Sequence, residues 1–465
     1  MQLTSGRTLR QRVLHAGSWS LGGHVLGQVI RLASNLLMTR LLVPEAFGLM
    51  GMVIVLMIGF ALFSDLGIGQ NIIRSPRGDD PVFLNTAWTL QIVRGIVIWL
   101  VALLVAAALP VAVGNGWVRP GTVYANPLLP WVIAVFSLSA VVGGFASTKV
   151  STARRQMNVR GIVQIDVASQ VIALAVMVPL ALWTHSIWAL VAGSLVSSVA
   201  ATWLGHVVLP GLRNKFAWDR AALADLVSFG KWIFLSSIIG FLVINGDRLL
   251  LGGMIDAETM GLYTIAFLLV NAVQMVMSMA NGNVVFPALS EVARDRPNDL
   301  AATANKFQRL GDMFLVTACG FLIPAGSAIV GLLYDTRYSA AGPMLSLLAI
   351  GSIGLRYQVV EQCYLAMGKP KIGTITILLR ALVLSIGLPV AFHHYQFTGA
   401  LAAIVLSQFA GWPAAIYFKL RYRLMDVRVE LAAIPPLALG LLLGFGFQYA
   451  TPSGQALRSL LIHSS

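Results

Sequence analysis

Long apolar segments recur along the whole of this 465-residue chain and limit what it can fold into. A helix rises 1.5 Å per residue, so about 20 apolar residues cross the roughly 30 Å of hydrocarbon in a bilayer. We predict 13 membrane-spanning helices, at residues 17–38, 47–68, 83–109, 128–147, 163–183, 187–209, 226–251, 261–286, 312–333, 340–362, 372–392, 399–418 and 431–449. The expected fold class is an all-α integral membrane protein.

The composition agrees with this interpretation, because the chain is 57% hydrophobic and only 11% charged. Soluble domains carry about 25% charged residues. The longest predicted connections, 211–225 and 288–311, are too short to hold a soluble domain. No soluble domain is therefore expected. We divide the chain into an N-terminal six-helix lobe at residues 1–210, a C-terminal six-helix lobe at 211–425, and an additional transmembrane helix with a tail at 426–465.

Lysine and arginine residues in the predicted turns fall mainly on one side of the membrane. The N-terminus and the even-to-odd turns hold 23 of them, whereas the odd-to-even turns and the tail hold 5. Basic residues concentrate in cytoplasmic loops, so the N-terminus is predicted to be cytoplasmic and the C-terminus, after an odd number of spans, to be outside. Topology and contact with anionic lipids then explain the net charge of +14 without a nucleic-acid partner.

The chain also resembles itself at an offset of 213 residues. This offset matches Glu45, Gly48 and Leu49 to a second set made of Glu258, Gly261 and Leu262. It maps predicted helix one onto seven and two onto eight, which preserves orientation. Two halves in the same direction, related by an axis along the membrane normal, are typical of transporters with a substrate path between the halves.

The first predicted helix carries a polar stripe inside the membrane. His24, Gln28, Arg31 and Asn35 step by 4, 3 and 4 residues and so share one helical face. The same residues interrupt the apolar core that a signal peptide needs, so we expect this helix to stay in the chain. A polar stripe with a cation is expected to face protein or water rather than lipid.

Other spans add polar and charged side chains at membrane depth, and we predict that these line the same hydrated substrate site. They are Arg94, Asn245, Asp247, Arg248, Asn271, Gln274, Arg356 and Arg380. The deep arginines are expected to face few acids, which favours an anionic substrate, because the guanidinium group suits phosphate oxygens. Two alternatives stay open: arginines near helix ends can extend to the headgroups, and Asn and Gln can join helices by hydrogen bonds. Asp247 and Arg248 could form a plain ion pair.

No cofactor or metal is expected. The two cysteines, Cys319 and Cys363, lie in apolar spans, where a thiol behaves as a small hydrophobe.

Three stretches resemble a known family: RLLVPEAFGLMGMV at 40–53, FSDLGIGQNIIR at 63–74 and NGDRLLLGGMIDAETMGLYTIA at 245–266. They are similar to Wzx-type oligosaccharide and polysaccharide flippases of the multidrug/oligosaccharidyl-lipid/polysaccharide exporter superfamily. The resemblance implies two six-helix lobes around a central cavity. It also implies a bacterial inner-membrane flippase that moves undecaprenyl-pyrophosphate-linked oligosaccharides to the periplasmic leaflet by alternating access. It also implies a polysaccharide polymerase and chain-length machinery as partners. Only Arg31 and the Asp247-Arg248 pair match charged places of that family.

Three other functions are alternatives to an oligosaccharide flippase. A cation-coupled multidrug exporter needs membrane-embedded carboxylates, and a membrane glycosyltransferase or polymerase needs acidic residues in a sizeable outer loop. The deep charges have the opposite sign to that expected for the exporter. The outer connections are short, and the longest, 110–127, carries no carboxylate, so an enzyme is not expected. A lipid II flippase would also need cationic residues for an anionic substrate, so it remains an alternative.

Overall fold

The structure is a computed structural model that describes residues 9–156 and 158–451. Side chains are described for these residues except 9–21, His24, 227–239 and Val243. Every regular element in this part of the chain is a helix, as predicted. The chain divides into two compact units, Met1–Phe241 and Leu242–Ser465. The predicted domain boundaries at residues 210 and 425 stay a prediction.

Within the described residues, the first unit contains five long helices, one short helix, a broken span of three short helices and the start of a tenth helix. In chain order its helices are α1 (Leu9–Leu41), α2 (Pro44–Leu62), α3 (Ile68–Arg74), α4 (Pro81–Gly114), α5 (Leu129–Phe136), α6 (Leu138–Gly144), α7 (Lys149–Arg155), α8 (Arg160–Thr184), α9 (Trp188–Val207) and α10 (Arg220–Gly252). Helix α10 continues into the second unit.

The second unit is built in the same way from long helices and short breaks. Its helices are α11 (Ala257–Ala280), α12 (Phe286–Asp295), α13 (Leu300–Leu333), α14 (Ala341–Ile353), α15 (Gln358–Ala366), α16 (Pro370–Phe409), α17 (Trp412–Arg421), α18 (Val427–Leu431) and α19 (Ile434–Ala450). Helix α16 is bent at Gln396, whose φ of 54° is not helical. This bend separates the predicted spans 372–392 and 399–418.

Nine helices within the described ranges are long and apolar enough to cross a membrane. The number is ten if the bent pair Leu129–Gly144 and Lys149–Arg155 forms one span. Each of these helices overlaps a predicted span. The first and seventh predicted spans fall on α1 and α10, whose side chains are only partly described. The chain is a multi-pass membrane protein, and thirteen spans stay a prediction.

The broken span has a polar side chain at its break. The helix bends by 60° between Gly144 and Lys149, where carbonyl oxygens lose their helical partners. The Nε2 atom of Gln91 on α4 lies 3.1 Å from the carbonyl oxygens of Gly143, Gly144 and Ala146. Unpaired backbone groups are costly in a membrane, so this amide stabilises the break.

Side chains of α4 hold the segment that leads into α10. Three backbone N–H groups of residues 215–219 donate to oxygens of α4, with distances of 2.9 Å from Lys215 to Asn85, 3.1 Å from Ala217 to Thr89 and 3.2 Å from Asp219 to Thr86. The segment therefore follows a fixed course along α4 although it is not helical.

The internal repeat coincides with one local structure in both units. Helix α2 begins at Pro44 and α11 begins at Ala257, which is the predicted offset. Glu45 and Glu258 are exposed in the first turns, where a negative charge is favoured by the helix dipole. The matched glycine and leucine positions are buried in both helices.

Helix α19 packs closely on α13 through glycines. A Cβ atom at Gly440 would lie 2.4 Å from the carbonyl oxygen of Thr317, and one at Gly444 would lie 2.4 Å from that of Phe321. The spacing of Gly440 and Gly444 is the G-x-x-x-G pattern that lets membrane helices approach closely. The additional C-terminal helix is thus an integral part of the second unit.

Candidate functional site

Arg31 of α1 lines a polar cavity of about 610 Å³ in the first unit. The cavity lies among α1, α7, α8 and α9, and its other polar lining residues are Arg154, Asp166, Ser169, Gln170, Ser197 and Ser198. Arg31 was predicted to line a hydrated substrate site, and in the structure its side chain lines this polar cavity. Its role in binding stays a prediction.

Two glycines bring α1 close to α8 and so place Arg31 in the cavity wall. A Cβ atom at Gly23 would lie 2.3 Å from Cγ1 of Val163, which leaves no room for a larger residue. A Cβ atom at Gly27 would lie 3.5 Å from Nε2 of Gln170 and 4.0 Å from Nη2 of Arg31. The end groups of Arg31 and Gln170 therefore both lie within 4.0 Å of the position that a Cβ atom of Gly27 would occupy.

The other predicted members of the polar stripe have different positions. Gln28 and Asn35 are half-buried and are not among the lining residues described for this cavity. The side chain of His24 lies outside the described residues.

The charges around the cavity are not balanced. Asp166 interacts electrostatically with both Arg154 and Arg31. Among the described residues, the side chains of Arg31 and Arg154 form neither an ion pair nor a hydrogen bond. One carboxylate for two guanidinium groups leaves a net positive lining, which attracts anions.

Arg94 lines a second cavity, of about 590 Å³, which shares Ser198 with the first. Its Nη2 donates to the carbonyl oxygen of Ala61 at 2.7 Å, and its Nε donates to Ser64 Oγ at 3.2 Å. Ala61 lies in the last turn of α2, where carbonyl groups lack helical partners. Arg94 thus caps α2, a contact that the sequence did not indicate.

Asp247 and Arg248 do not form the simple ion pair that their adjacency suggested. The buried Asp247 accepts a hydrogen bond from the hydroxyl group of Tyr263. Arg248 donates from Nη2 to Asn245 Oδ1 at 2.9 Å and lies over the ring of Phe267, 4.1 Å from its centre. Both charges are therefore held by separate neighbours within the second unit.

The two predicted polar residues of α11 are half-buried. Gln274 donates from Nε2 to the buried Ser352 Oγ at 2.9 Å, which joins α11 to α14. This contact is the interhelical hydrogen bond that was one of the two alternatives for these amides. Asn271 lies one turn earlier on the same helix.

Arg356 belongs to a buried ion cluster. Its guanidinium group donates to Asp312 from Nε at 3.2 Å and from Nη2 at 2.7 Å, and Nη2 also lies 3.2 Å from Glu430. Glu430 further pairs with the buried Lys419 and accepts a hydrogen bond from Tyr357 at 2.9 Å. Two cations and two carboxylates balance each other here.

Arg380 is also buried and also has an acid nearby, since its Nη2 lies 3.8 Å from Glu361. The expectation that the deep arginines face few acids was therefore wrong for Arg356 and Arg380. Both arginines pair with carboxylates of other elements: Arg356 with Asp312 of α13 and Glu430 of α18, and Arg380 with Glu361 of α15. Arg31 and Arg94 both line cavities, but within the described part of the chain Arg94 forms side-chain hydrogen bonds, whereas Arg31 has neither a side-chain hydrogen bond nor an ion pair.

Comparison with known proteins decides the family. Residues 37–343, about two thirds of the chain, match the family described as polysaccharide biosynthesis protein. The chain belongs to that family. The lipopolysaccharide biosynthesis protein WzxC of Escherichia coli (strain K12) is 23% identical over 345 residues, which is 74% of this chain and 67% of WzxC. The teichuronic acid biosynthesis protein TuaB of Bacillus subtilis (strain 168) is 21% identical over 62% of this chain and 57% of its own length.

Solved structures show the same fold. The lipid II flippase MurJ in an inward closed conformation matches with a TM-score of 0.64 at 13% identity, over 95% of this chain and 99% of MurJ. An inward-facing multidrug resistance transporter of the MATE family, in the MOP superfamily, matches with the same TM-score of 0.64 at 16% identity, over 87% of this chain and 95% of its own. The predicted Wzx-type membership is confirmed, and the proteins compared are named for transport, lipid flipping or polysaccharide biosynthesis rather than for catalysis.

Sequence reasoning missed several residues that the structure brings to these places. Arg154 and Lys419 were counted only among the 23 basic residues of the predicted cytoplasmic side, and neither Asp166 nor Glu430 was predicted as a site residue. Lys419 and Glu430 meet near Arg356 through tertiary packing alone, which the sequence does not show.

Proposed function

We propose that this protein is a flippase that translocates undecaprenyl-pyrophosphate-linked oligosaccharide units from the cytoplasmic to the periplasmic leaflet by alternating access. The units would serve exopolysaccharide, O-antigen or capsule assembly in a bacterial inner membrane. The observation that carries this proposal is the placement of Arg31, in a membrane protein of the polysaccharide biosynthesis family, in a polar cavity where acids do not balance the cations.

The chemistry of the cavity suits such a head group. Guanidinium groups bind phosphate oxygens through two parallel hydrogen bonds, and these bonds are stronger in a partly dehydrated site than at a surface. Serine hydroxyl groups and the Gln170 amide offer partners for sugar hydroxyl groups. The polyprenyl tail is proposed to stay in the lipid, so that this apolar group does not have to enter a polar environment.

The remaining predicted residues enter the proposal with different roles. The polar face of α1 is proposed to be extended by Gln28, Asn35 and His24. Arg94 lines the neighbouring cavity and caps α2. Asn245, Asp247, Arg248, Asn271 and Gln274 are proposed to contact the substrate from the second unit. Arg356 and Arg380 hold their own unit together through carboxylate contacts.

The proposed direction of transport, from the cytoplasmic to the periplasmic leaflet, is the direction that the resemblance to Wzx-type flippases implies. The bias of basic residues supports a cytoplasmic N-terminus within this proposal. The polymerase and chain-length machinery are proposed to act on the product outside.

A lipid II flippase is the second candidate, because the fold matches MurJ over 95% of the chain and lipid II is itself a polyprenyl-pyrophosphate-linked sugar. The test is transport in proteoliposomes of purified protein with three probes: a fluorescent undecaprenyl-pyrophosphate oligosaccharide, fluorescent lipid II and ethidium. We expect the oligosaccharide to be flipped faster than lipid II and ethidium not to be moved. Faster flipping of lipid II would favour the second candidate, and ethidium transport alone would overturn the flippase proposal.

A further inference from the structure

Two consecutive arginines at the end of α7 have different surroundings. Arg155 forms an ion pair with Asp79 at 3.3 Å, and its Nη1 donates to three carbonyl oxygens at the end of α3, namely Ile72 at 3.0 Å, Ile73 at 2.9 Å and Ser75 at 2.6 Å. Arg154 is exposed, lines the 610 Å³ cavity, and has no ion pair or side-chain hydrogen bond in the described part of the chain. Arg155 is therefore structural, whereas Arg154 is available to a ligand.

The charged residues of the cavity are arranged along its depth. Asp166 and Gln170 lie six and ten residues after Arg160, the start of α8, which places them about 9 Å and 15 Å along the helix. Arg154 lies in the last turn of α7, just before this helix and at the predicted cytoplasmic side, whereas the end group of Arg31 lies beside Gly27 at the level of Gln170. Along α8, Asp166 lies between the helix start and Gln170, and it interacts electrostatically with both cations.

We infer that Arg154 and Arg31 are two successive binding positions for an anionic oxygen group, the pyrophosphate of the lipid-linked substrate, and that Asp166 is the counter-ion which this anion displaces. The inference rests on the proposed function. It adds Arg154 as the residue that first binds the substrate and Asp166 as the residue that weakens this binding. An anion that reaches Arg154 moves past Asp166 to Arg31.

The carboxylate of Asp166 would weaken the binding of an anion in such a path. A transported group must be bound strongly enough to enter and weakly enough to leave, so several weak positions serve better than one strong one. A negative charge within several ångströms of a bound anion repels it, and at an effective dielectric constant of about 20 this weakens binding on the order of 10-fold to 100-fold. Asp166 therefore prevents the two arginines from trapping the anion.

A buried acceptor next to Arg31 indicates what lies beside the anion. The Oε1 atom of Gln170 is buried and has no hydrogen-bond donor among the described residues. Buried polar atoms are normally paired. A hydroxyl group of the sugar attached to the pyrophosphate would supply the missing donor, with Ser169 and Ser197 nearby in the cavity wall.

The test measures binding of inorganic pyrophosphate to the purified full-length protein in detergent, by calorimetry, for the wild type, Arg154→Ala and Asp166→Asn. Arg213→Ala is the matched control, because this arginine is exposed, lies on the same predicted side and does not line the cavity. We expect Arg154→Ala to weaken binding about 10-fold and Asp166→Asn to tighten it about 10-fold, with Arg213→Ala unchanged. Equal affinities in Arg154→Ala and wild type, or weaker binding in Asp166→Asn, would overturn the inference.

Two further arms separate the possible sources of failure. Glucuronate replaces pyrophosphate as the probe in the same titration, and stronger binding of glucuronate would overturn the assignment to pyrophosphate in favour of an acidic sugar. In proteoliposomes, Arg154→Ala is expected to raise the substrate concentration for half-maximal flipping while the maximal rate stays near that of the wild type, and Arg154→Lys is expected to recover part of the loss. If the wild type flips normally and Arg154→Ala matches it at every substrate concentration, the path fails while the proposed function stands.

Discussion

The buried ion cluster of the second unit allows a quantitative prediction for Asp312→Asn. The Asp312 side chain is 1% exposed and binds Arg356 through two hydrogen bonds, and the cluster as a whole contains Arg356, Lys419 and Glu430 as its other charges. Removal of one carboxylate leaves an uncompensated positive charge in a place that water does not reach. Loss of one partner of a buried ion pair costs about 3–5 kcal/mol, which changes the unfolding equilibrium by roughly two to four orders of magnitude.

The assay is equilibrium unfolding of the detergent-purified protein in increasing sodium dodecyl sulfate, followed by circular dichroism. Asp295→Asn makes the same chemical change in an exposed pair with Arg294 and is expected to unfold like the wild type. The double variant Asp312→Leu with Arg356→Met removes both charges and is expected to recover most of the loss, because buried pairs can be replaced by apolar residues. The reasoning is refuted if Asp312→Asn unfolds with the wild type, or if the double variant is less stable than Asp312→Asn.

Three further predictions concern packing, the helix break and pH. Gly440→Leu places side-chain atoms against the Thr317 carbonyl and is expected to expose α19 to protease and to cost about 1–3 kcal/mol, whereas Gly446→Ala, which has open space, leaves the digestion pattern unchanged. Gln91→Leu removes the donor to three carbonyl oxygens at the break before α7 and is expected to lower the thermal midpoint, with the exposed Gln164→Leu as control. The pKa of Asp80 is lowered by hydrogen bonds from the backbone N–H of Val82 and from Arg77. The ionised carboxylate therefore stabilises the folded protein above the ordinary aspartate pKa, and this stabilisation is lost as the pH falls through the lowered pKa. The difference in thermal midpoint between wild type and Asp80→Asn is expected to shrink between pH 6 and pH 3, and a constant difference would contradict this cause.

The spans could be predicted from the sequence because hydropathy and helix length are local properties. The repeat was visible for the same reason, since Glu45 and Glu258 mark equivalent helix starts. The bend at Gln396 falls between the predicted spans 372–392 and 399–418, so the sequence indicated a boundary there. The 60° bend between Gly144 and Lys149 was not visible, because composition does not give the angle between two helices.

The candidate site was predictable only in part. Arg31 could be found because it interrupts an apolar helix within a periodic polar stripe. The partners of Arg356 could not be found, because Asp312 lies 44 residues away and Glu430 comes from the segment before α19, so that only tertiary packing brings them together. The hydrogen bonds of Arg94 to the end of α2 were hidden for the same reason.

The central claim is that Arg31 holds the anionic head group of a lipid-linked oligosaccharide during flipping. The most direct measurement is the initial rate at which a fluorescent undecaprenyl-pyrophosphate oligosaccharide is flipped in proteoliposomes by the wild type, Arg31→Ala, Arg31→Lys and Arg119→Ala, at matched folding and reconstitution. Arg119 is an exposed arginine outside the described spans and serves as control. We predict at least a 10-fold loss for Arg31→Ala, a smaller loss for Arg31→Lys and the wild-type rate for Arg119→Ala. A wild-type rate for Arg31→Ala would contradict the claim.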